Sequence, residues 1–144
     1  IDDPKALPMY REIAKRGLPV LFHTGDHRYD YSAPTKVQNI MKQVPDLVCI
    51  GAHFGGWSVQ DLALEYLLDT GCYLDCSSSM MYLGAKRSAE LIRLYGAERF
   101  LFGSDYPMWH PGEELQRFRS LGLSEKETEL MLYRNAERIL NRQA

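Results

Sequence analysis

The chain has 144 residues, 45% of them apolar and 25% charged, which is the balance of one globular domain with a buried core. Seventeen Lys and Arg stand against nineteen Asp and Glu, a formal charge of −2, and this argues against a nucleic-acid surface, which carries a basic excess. No apolar run is long enough to span a bilayer, and Ile1-Asp2-Asp3-Pro4 opens neither as a signal peptide nor with an initiator Met, as expected of a fragment or a processed chain.

In chain order, Leu7, Tyr10, Ile13 and Ala14 recur at helical spacing and predict a helix over 5–16, stopped by Gly17. The apolar run 18–23 reads as a strand buried on both faces and ends in His23. A polar loop follows, and Pro34 opens a helix with Val37, Ile40, Met41 and Val44 inside. The run 47–53 is a second strand, ending in His53. Gly55-Gly56 makes a tight loop, and Val59, Leu62, Ala63, Tyr66 and Leu67 mark a helix that stops at Gly71. The third strand is 72–76, followed by a run of serines, Ser77 to Ser79. A helix over 85–95 leads to a fourth strand, 99–105, which ends in Asp105. Two helices close the chain, one over 113–120. The other is introduced by Ser124-Glu125-Lys126-Glu127, a capping box in which serine and glutamate satisfy free amides reciprocally.

The three cysteines, Cys49, Cys72 and Cys76, form no CxxC pair. Cys49 and Cys76 fall in apolar runs, where a free thiol packs as a small hydrophobe. An odd count without a disulfide framework reads as a reducing, cytoplasmic compartment.

Strand ends at His23, His53, Cys76 and Asp105 give the rhythm of repeated βα units and a parallel sheet. An open doubly wound sheet and a barrel share that rhythm, so the chemistry at the strand ends must choose. In parallel α/β folds the C-terminal strand ends open on one face, where barrels build active sites. His23, His53 and Asp105 would converge there, and imidazole and carboxylate are the ligands of catalytic divalent metals. Each has a plainer reading alone: a core histidine bonded to a backbone carbonyl, or, for Asp105, a turn former or helix cap. Together they are uncommon, because a buried polar group without a partner costs roughly 1–3 kcal/mol.

Pro19-Val20-Leu21-Phe22-His23-Thr24-Gly25, Gly51-Ala52-His53-Phe54-Gly55-Gly56 and Phe102-Gly103-Ser104-Asp105-Tyr106-Pro107 resemble the strand-five, strand-six and strand-eight motifs of the amidohydrolase superfamily. The resemblance is to the branch of amino-carboxymuconate-semialdehyde decarboxylase and related decarboxylases, hydratases and lactonases. The closing Asn135-Ala136-Glu137-Arg138-Ile139-Leu140 resembles that branch's final helix. The resemblance implies a (β/α)8 TIM barrel of which 1–144 holds the C-terminal half, strands five to eight. It implies that His23 and Asp105 bind a divalent metal, zinc first, with manganese or iron accepted by the same donors. It also implies that His53 hydrogen-bonds the activated water or polarises the substrate, and that Asp105 shuttles the proton. The branch's strand-one His-x-His pair does not occur here. A lone half would leave open sheet edges and an incomplete site, so the expected partners are a small-molecule substrate and either a second copy or the missing N-terminal half, with no nucleic acid and no membrane.

His27 and Arg28 after strand five are further candidates, Arg28 as a bidentate clamp for a carboxylate. Tyr106, Trp109 and His110 either wall a pocket or pack the last loop. Gly55-Gly56 either lets amides approach an anion or only makes a turn. No Gly-x-Ser-x-Gly elbow accompanies Ser77 to Ser79, so serine hydrolysis is set aside. The leading reading is a metal-dependent hydrolase, with non-oxidative decarboxylation at the same site as the alternative. A non-catalytic half-barrel is the competing class, and a nucleotide-binding fold lacks its glycine motifs.

Overall fold

The computed structural model describes residues 1–141. A 3-10 turn, Pro4–Ala6, leads into α1 (Leu7–Lys15), then β1 (Pro19–Phe22), α2 (Pro34–Gln43), β2 (Val48–Gly51), α3 (Gln60–Leu67) and β3 (Tyr73–Asp75). There follow α4 (Met80–Tyr95), β4 (Phe100–Leu101), α5 (Pro111–Arg119), α6 (Glu125–Glu129), a π-helical turn (Leu130–Arg134) and α7 (Asn135–Leu140). The helix expected over 85–95 is present, and an irregular turn precedes it because Gly84, at φ 73°, breaks α4. The capping box at Ser124 and Glu127 forms as the sequence dictates.

All four strands are parallel and lie in the order β1-β2-β3-β4. A doubly wound sheet reverses its order at a switch point. A sequential order with an intervening helix at each step is the wall of a barrel, and the fold is a partial (β/α) barrel.

Strand alternation divides the core. Phe22, Cys49, Leu74 and Phe100 join the main core with Val37, Ile40, Leu67, Leu91 and Ile92 from the helices. Ile50 and Tyr73 turn the other way and pack with Val48 and Leu101 against Ile139 of α7. Leu21, 61% exposed, lies on β1 between the buried Phe22 and the half-buried Val20.

β4 is shorter than the run 99–105 predicts. Leu74↔Phe100 and Asp75↔Leu101 complete its ladder, and the next amide, Phe102 N–H, goes instead to the Met131 carbonyl at 2.8 Å. That carbonyl sits in the π-turn, where Asn135 N–H reaches back five residues to Leu130. Asn135 is buried and donates from Nδ2 to the Ala97 and Phe100 carbonyls, at 2.8 and 2.6 Å. It therefore ties the last helix to β4. Arg99, the residue before β4, ties the start of the strand to the end of α3 and the approach to β3, donating to the Leu67, Leu68 and Cys72 carbonyls.

Asn135→Ala strands two buried carbonyls and is expected to cost about 2 kcal/mol of stability. Urea unfolding measures it; an unchanged midpoint would mean that Asn135 does not anchor the last helix.

Candidate functional site

The loops that follow the four strands build one mouth. His23 is the residue after Phe22 and Asp75 the residue after Leu74; because Phe22 and Leu74 face the helices, both polar residues face the opposite side. His23, His53 and Asp105 all line two adjoining cavities, of about 380 and about 530 Å³. His23 directly follows β1, whereas His53 lies two residues past β2 and Asp105 four past β4. The sequence reading placed all three on strands. The structure brings them together on loops.

Past β2 the chain makes a left-handed turn. His53, Phe54 and Gly55 have φ of 62°, 57° and 76°. The Gly55 and Gly56 amides close it onto the Ala52 and His53 carbonyls. Left-handed backbone costs a residue with a Cβ roughly 1–2 kcal/mol, so the turn needs support. Asp75 supplies it twice: its carbonyl accepts Phe54 N–H at 2.7 Å, and its carboxylate Oδ1 accepts His53 N–H at 2.9 Å. Phe54 is fully buried against the Phe100 ring. A Cβ on Gly55 would stand 2.7 Å from Leu74 Cδ2 and 3.0 Å from Leu67 Cδ1, and with φ at 76° both the packing and the backbone favour glycine there. The Gly55-Gly56 amides are thus spent on the turn and do not face an anion.

The His53 ring is held at both nitrogens. Nε2 lies 3.1 Å from His23 Nδ1, the two rings meeting edge to face. Nδ1 lies 2.9 Å from Ser77 Oγ and 3.2 Å from the Ser77 carbonyl. Ser77 Oγ in turn donates to Asp75 Oδ1 at 2.6 Å, and Ser77 N–H donates to the same oxygen at 2.9 Å. Thr24, buried, donates from Oγ1 to the Ala52 carbonyl at 2.8 Å and ties the loop after β1 to the loop after β2.

Asp105 also has a left-handed backbone, φ 62°, as does Ser78, φ 52°. Its carbonyl accepts Met108 N–H, so it does form the turn that its sequence context suggests. Its carboxylate Oδ2 accepts from Ser78 Oγ at 2.6 Å, and the residue lines both cavities of the mouth. The cap of α5 is His110, whose Nδ1 accepts Gly112 N–H at 3.1 Å. Trp109, Met108, Tyr82 and Trp57 wall the smaller cavity, and Tyr106 lines the larger one.

Arg28 lines the smaller cavity but is already committed. Its Nε and Nη2 donate to the two carboxylate oxygens of Asp26, at 3.0 and 2.8 Å. That pairing holds the Asp26 carboxyl well below the usual carboxylate range. A bidentate clamp on a substrate would have to displace Asp26. His27 is tied through Nδ1 to Ser58 Oγ at 3.0 Å.

Imidazole and carboxylate fit a divalent cation, and His23 and Asp105 present both at one mouth. Among the described residues no three His, Cys, Asp or Glu side chains stand together as a metal cluster. The cysteines do not add to it: burial pushes the Cys49, Cys72 and Cys76 thiols up to about 12. Asp75, Ser77 and Ser78 have no functional place in the sequence reading. A carboxylate inside the apolar run 72–76 was the available signal, since a buried charge requires partners.

The family model described as Amidohydrolase matches residues 1–142. No curated protein matches. Among solved structures, a TIM-barrel protein of Bordetella bronchiseptica described as uncharacterized is 27% identical, with a TM-score of 0.76 over 99% of this chain and 52% of that one. A dihydroxybenzoic acid decarboxylase of Polaromonas sp. JS666, with bound manganese and the inhibitor 2-nitroresorcinol, is 14% identical, with a TM-score of 0.70 over 99% of this chain and 55% of that one. A Pseudomonas putida protein provisionally assigned as a 2-pyrone-4,6-dicarboxylic acid hydrolase is 19% identical, with a TM-score of 0.72 over 97% of this chain and 59% of that one. The likeness to the last two is one of fold. The chain spans about half the length of the structures it matches.

With all three thiols buried and pushed up to about 12, an aromatic disulfide reagent near neutral pH is expected to leave Cys49, Cys72 and Cys76 unmodified in native protein and to modify them on denaturation. Rapid native labelling of Cys76, read by mass spectrometry, would bring a thiolate into play next to the mouth.

Proposed function

Because the chain belongs to the amidohydrolase family, we propose that residues 1–144 are the C-terminal half, strands five to eight, of a metal-dependent barrel enzyme. Its reaction is hydrolysis of a small carboxylated or carbonyl-containing substrate. The convergence of His23, His53 and Asp105 on one cavity supports this reading above all else.

His23 and Asp105 would hold the divalent metal, with the remaining ligands supplied from outside this chain. Zinc is the first choice for such donors, and manganese or iron accept them too; the Polaromonas structure holds manganese. When bound, such an ion would supply hydroxide near neutral pH by lowering the pKa of a coordinated water to about 7. His53 faces the same cavity and hydrogen-bonds the attacking oxygen or, once protonated, the substrate carbonyl. Asp105, one oxygen anchored by Ser78, takes the proton and returns it to the leaving group. Trp57, Tyr82 and Trp109 suit a flat, conjugated substrate.

Those same walls favour a second reading. An aromatic pocket strips water from a substrate carboxylate, and its carbon–carbon bond then breaks to release carbon dioxide while Asp105 or His53, having first taken a proton, delivers it to the carbon left behind. In either reading a second copy or the preceding barrel half covers the exposed side of β1, where Leu21 stands 61% exposed.

Elemental mass spectrometry of the full-length protein is expected to find about one divalent ion per chain, and little in His23→Ala or Asp105→Ala. Folded protein without metal, never exposed to chelator, would sink the assignment and point to a non-catalytic half-barrel. Carbon dioxide release from a carboxylated substrate, against water-dependent cleavage, separates the two reactions.

A further inference from the structure

We propose that Asp75, acting through Ser77, is a positioning residue that fixes the His53 ring with its proton on Nδ1 and its lone pair on Nε2, facing the mouth. The inference rests on the reading of His53 as a site residue.

The argument is a count of protons. A serine hydroxyl has one proton to donate. Ser77 Oγ stands 2.6 Å from Asp75 Oδ1, an acceptor, and 2.9 Å from His53 Nδ1. Asp75 Oδ1 also collects the His53 and Ser77 amides, each at 2.9 Å. The charge-assisted bond takes the serine proton, being shorter and stronger than a neutral one. Ser77 Oγ can then only accept from the ring. The second neighbour of Nδ1, the Ser77 carbonyl at 3.2 Å, can never donate. Both partners of Nδ1 are acceptors, so Nδ1 carries the proton. In the neutral ring Nε2 is then an acceptor, and it is the nitrogen that meets His23 Nδ1 at 3.1 Å.

Asp75 thus controls both the backbone and the ring of His53. Its carboxylate holds the His53 amide, and its carbonyl holds the next one, which sets the left-handed turn. Through Ser77 it sets the tautomer. The consequence for reactivity is specific: neutral His53 accepts at Nε2, from His23 Nδ1 or from a group in the mouth, and offers a hydrogen bond or a proton there only after it has taken one. Asp75 lines the larger cavity from inside the mouth, but its Oδ1 is occupied by these three donors.

Nitrogen-15 spectra of the histidine rings test this without any turnover. They are recorded on metal-free full-length protein at about pH 8.5, above the ordinary imidazole value. Wild-type His53, assigned by its absence in His53→Gln, is expected to show a protonated Nδ1 and a bare Nε2. Asp75→Asn retains an acceptor oxygen and is expected to keep that pattern. Asp75→Ala frees the Ser77 hydroxyl to donate to the ring, so the two nitrogen signals should move toward each other, and turnover should fall about 10–100-fold with KM little changed. A wild-type His53 protonated on Nε2 would overturn the inference even if Asp75→Ala fails to fold. So would an Asp75→Ala protein that keeps the wild-type ring pattern and loses only stability. Loss of the metal assignment through His23 and Asp105 would leave these spectra unchanged, so the two readings fail separately.

Discussion

One carboxylate oxygen organises this mouth. Asp75 Oδ1 accepts from two backbone amides and a hydroxyl, drawn from the loops that follow β2 and β3. An anionic acceptor buried among donors binds each more strongly than a neutral one would. The loops on either side are consequently short and fixed, and a left-handed turn that local preference opposes becomes the stable course of the chain. The metal-competent side chains are held by other means, His23 by the end of β1 and Asp105 by Ser78. The His53 ring therefore has its geometry set from the third strand, far from it in sequence.

Much of this was legible in the chain. The apolar runs and the strand-end residues His23, His53 and Asp105 announced parallel βα units and a polar mouth. The sequential strand order was not legible, since helical and strand periodicities are local and both barrel and open sheet satisfy them. The length of β4 was misread for a related reason: the partner of Phe102 N–H is Met131, in a π-turn with no sequence signature. Asp75 was passed over because the run 72–76 reads as a plain buried strand. Its partners are 22 residues back, at His53, and two forward, at Ser77, and together their three donors explain why a charge is tolerated there.

The two faces of the sheet carry different tasks. The helix-facing side is closed by α2, α3 and α4 and holds the three thiols in an apolar setting. The other side carries the polar mouth at one end and a small apolar patch at the other, where Ile139 of α7 seals Ile50 and Tyr73. Stability and chemistry are thereby separated along the strands, which is the usual division of labour in barrels.

The backbone of the mouth has an evolutionary consequence. His53, Ser78 and Asp105 all adopt a conformation that glycine enters freely and that other residues enter at a cost of roughly 1–2 kcal/mol. Selection for heat resistance alone would therefore favour glycine at all three positions and would erase the mouth while the barrel wall grew firmer. In a lineage of related chains, glycine at these sites would date the moment when the polar mouth was given up and only the scaffold was kept.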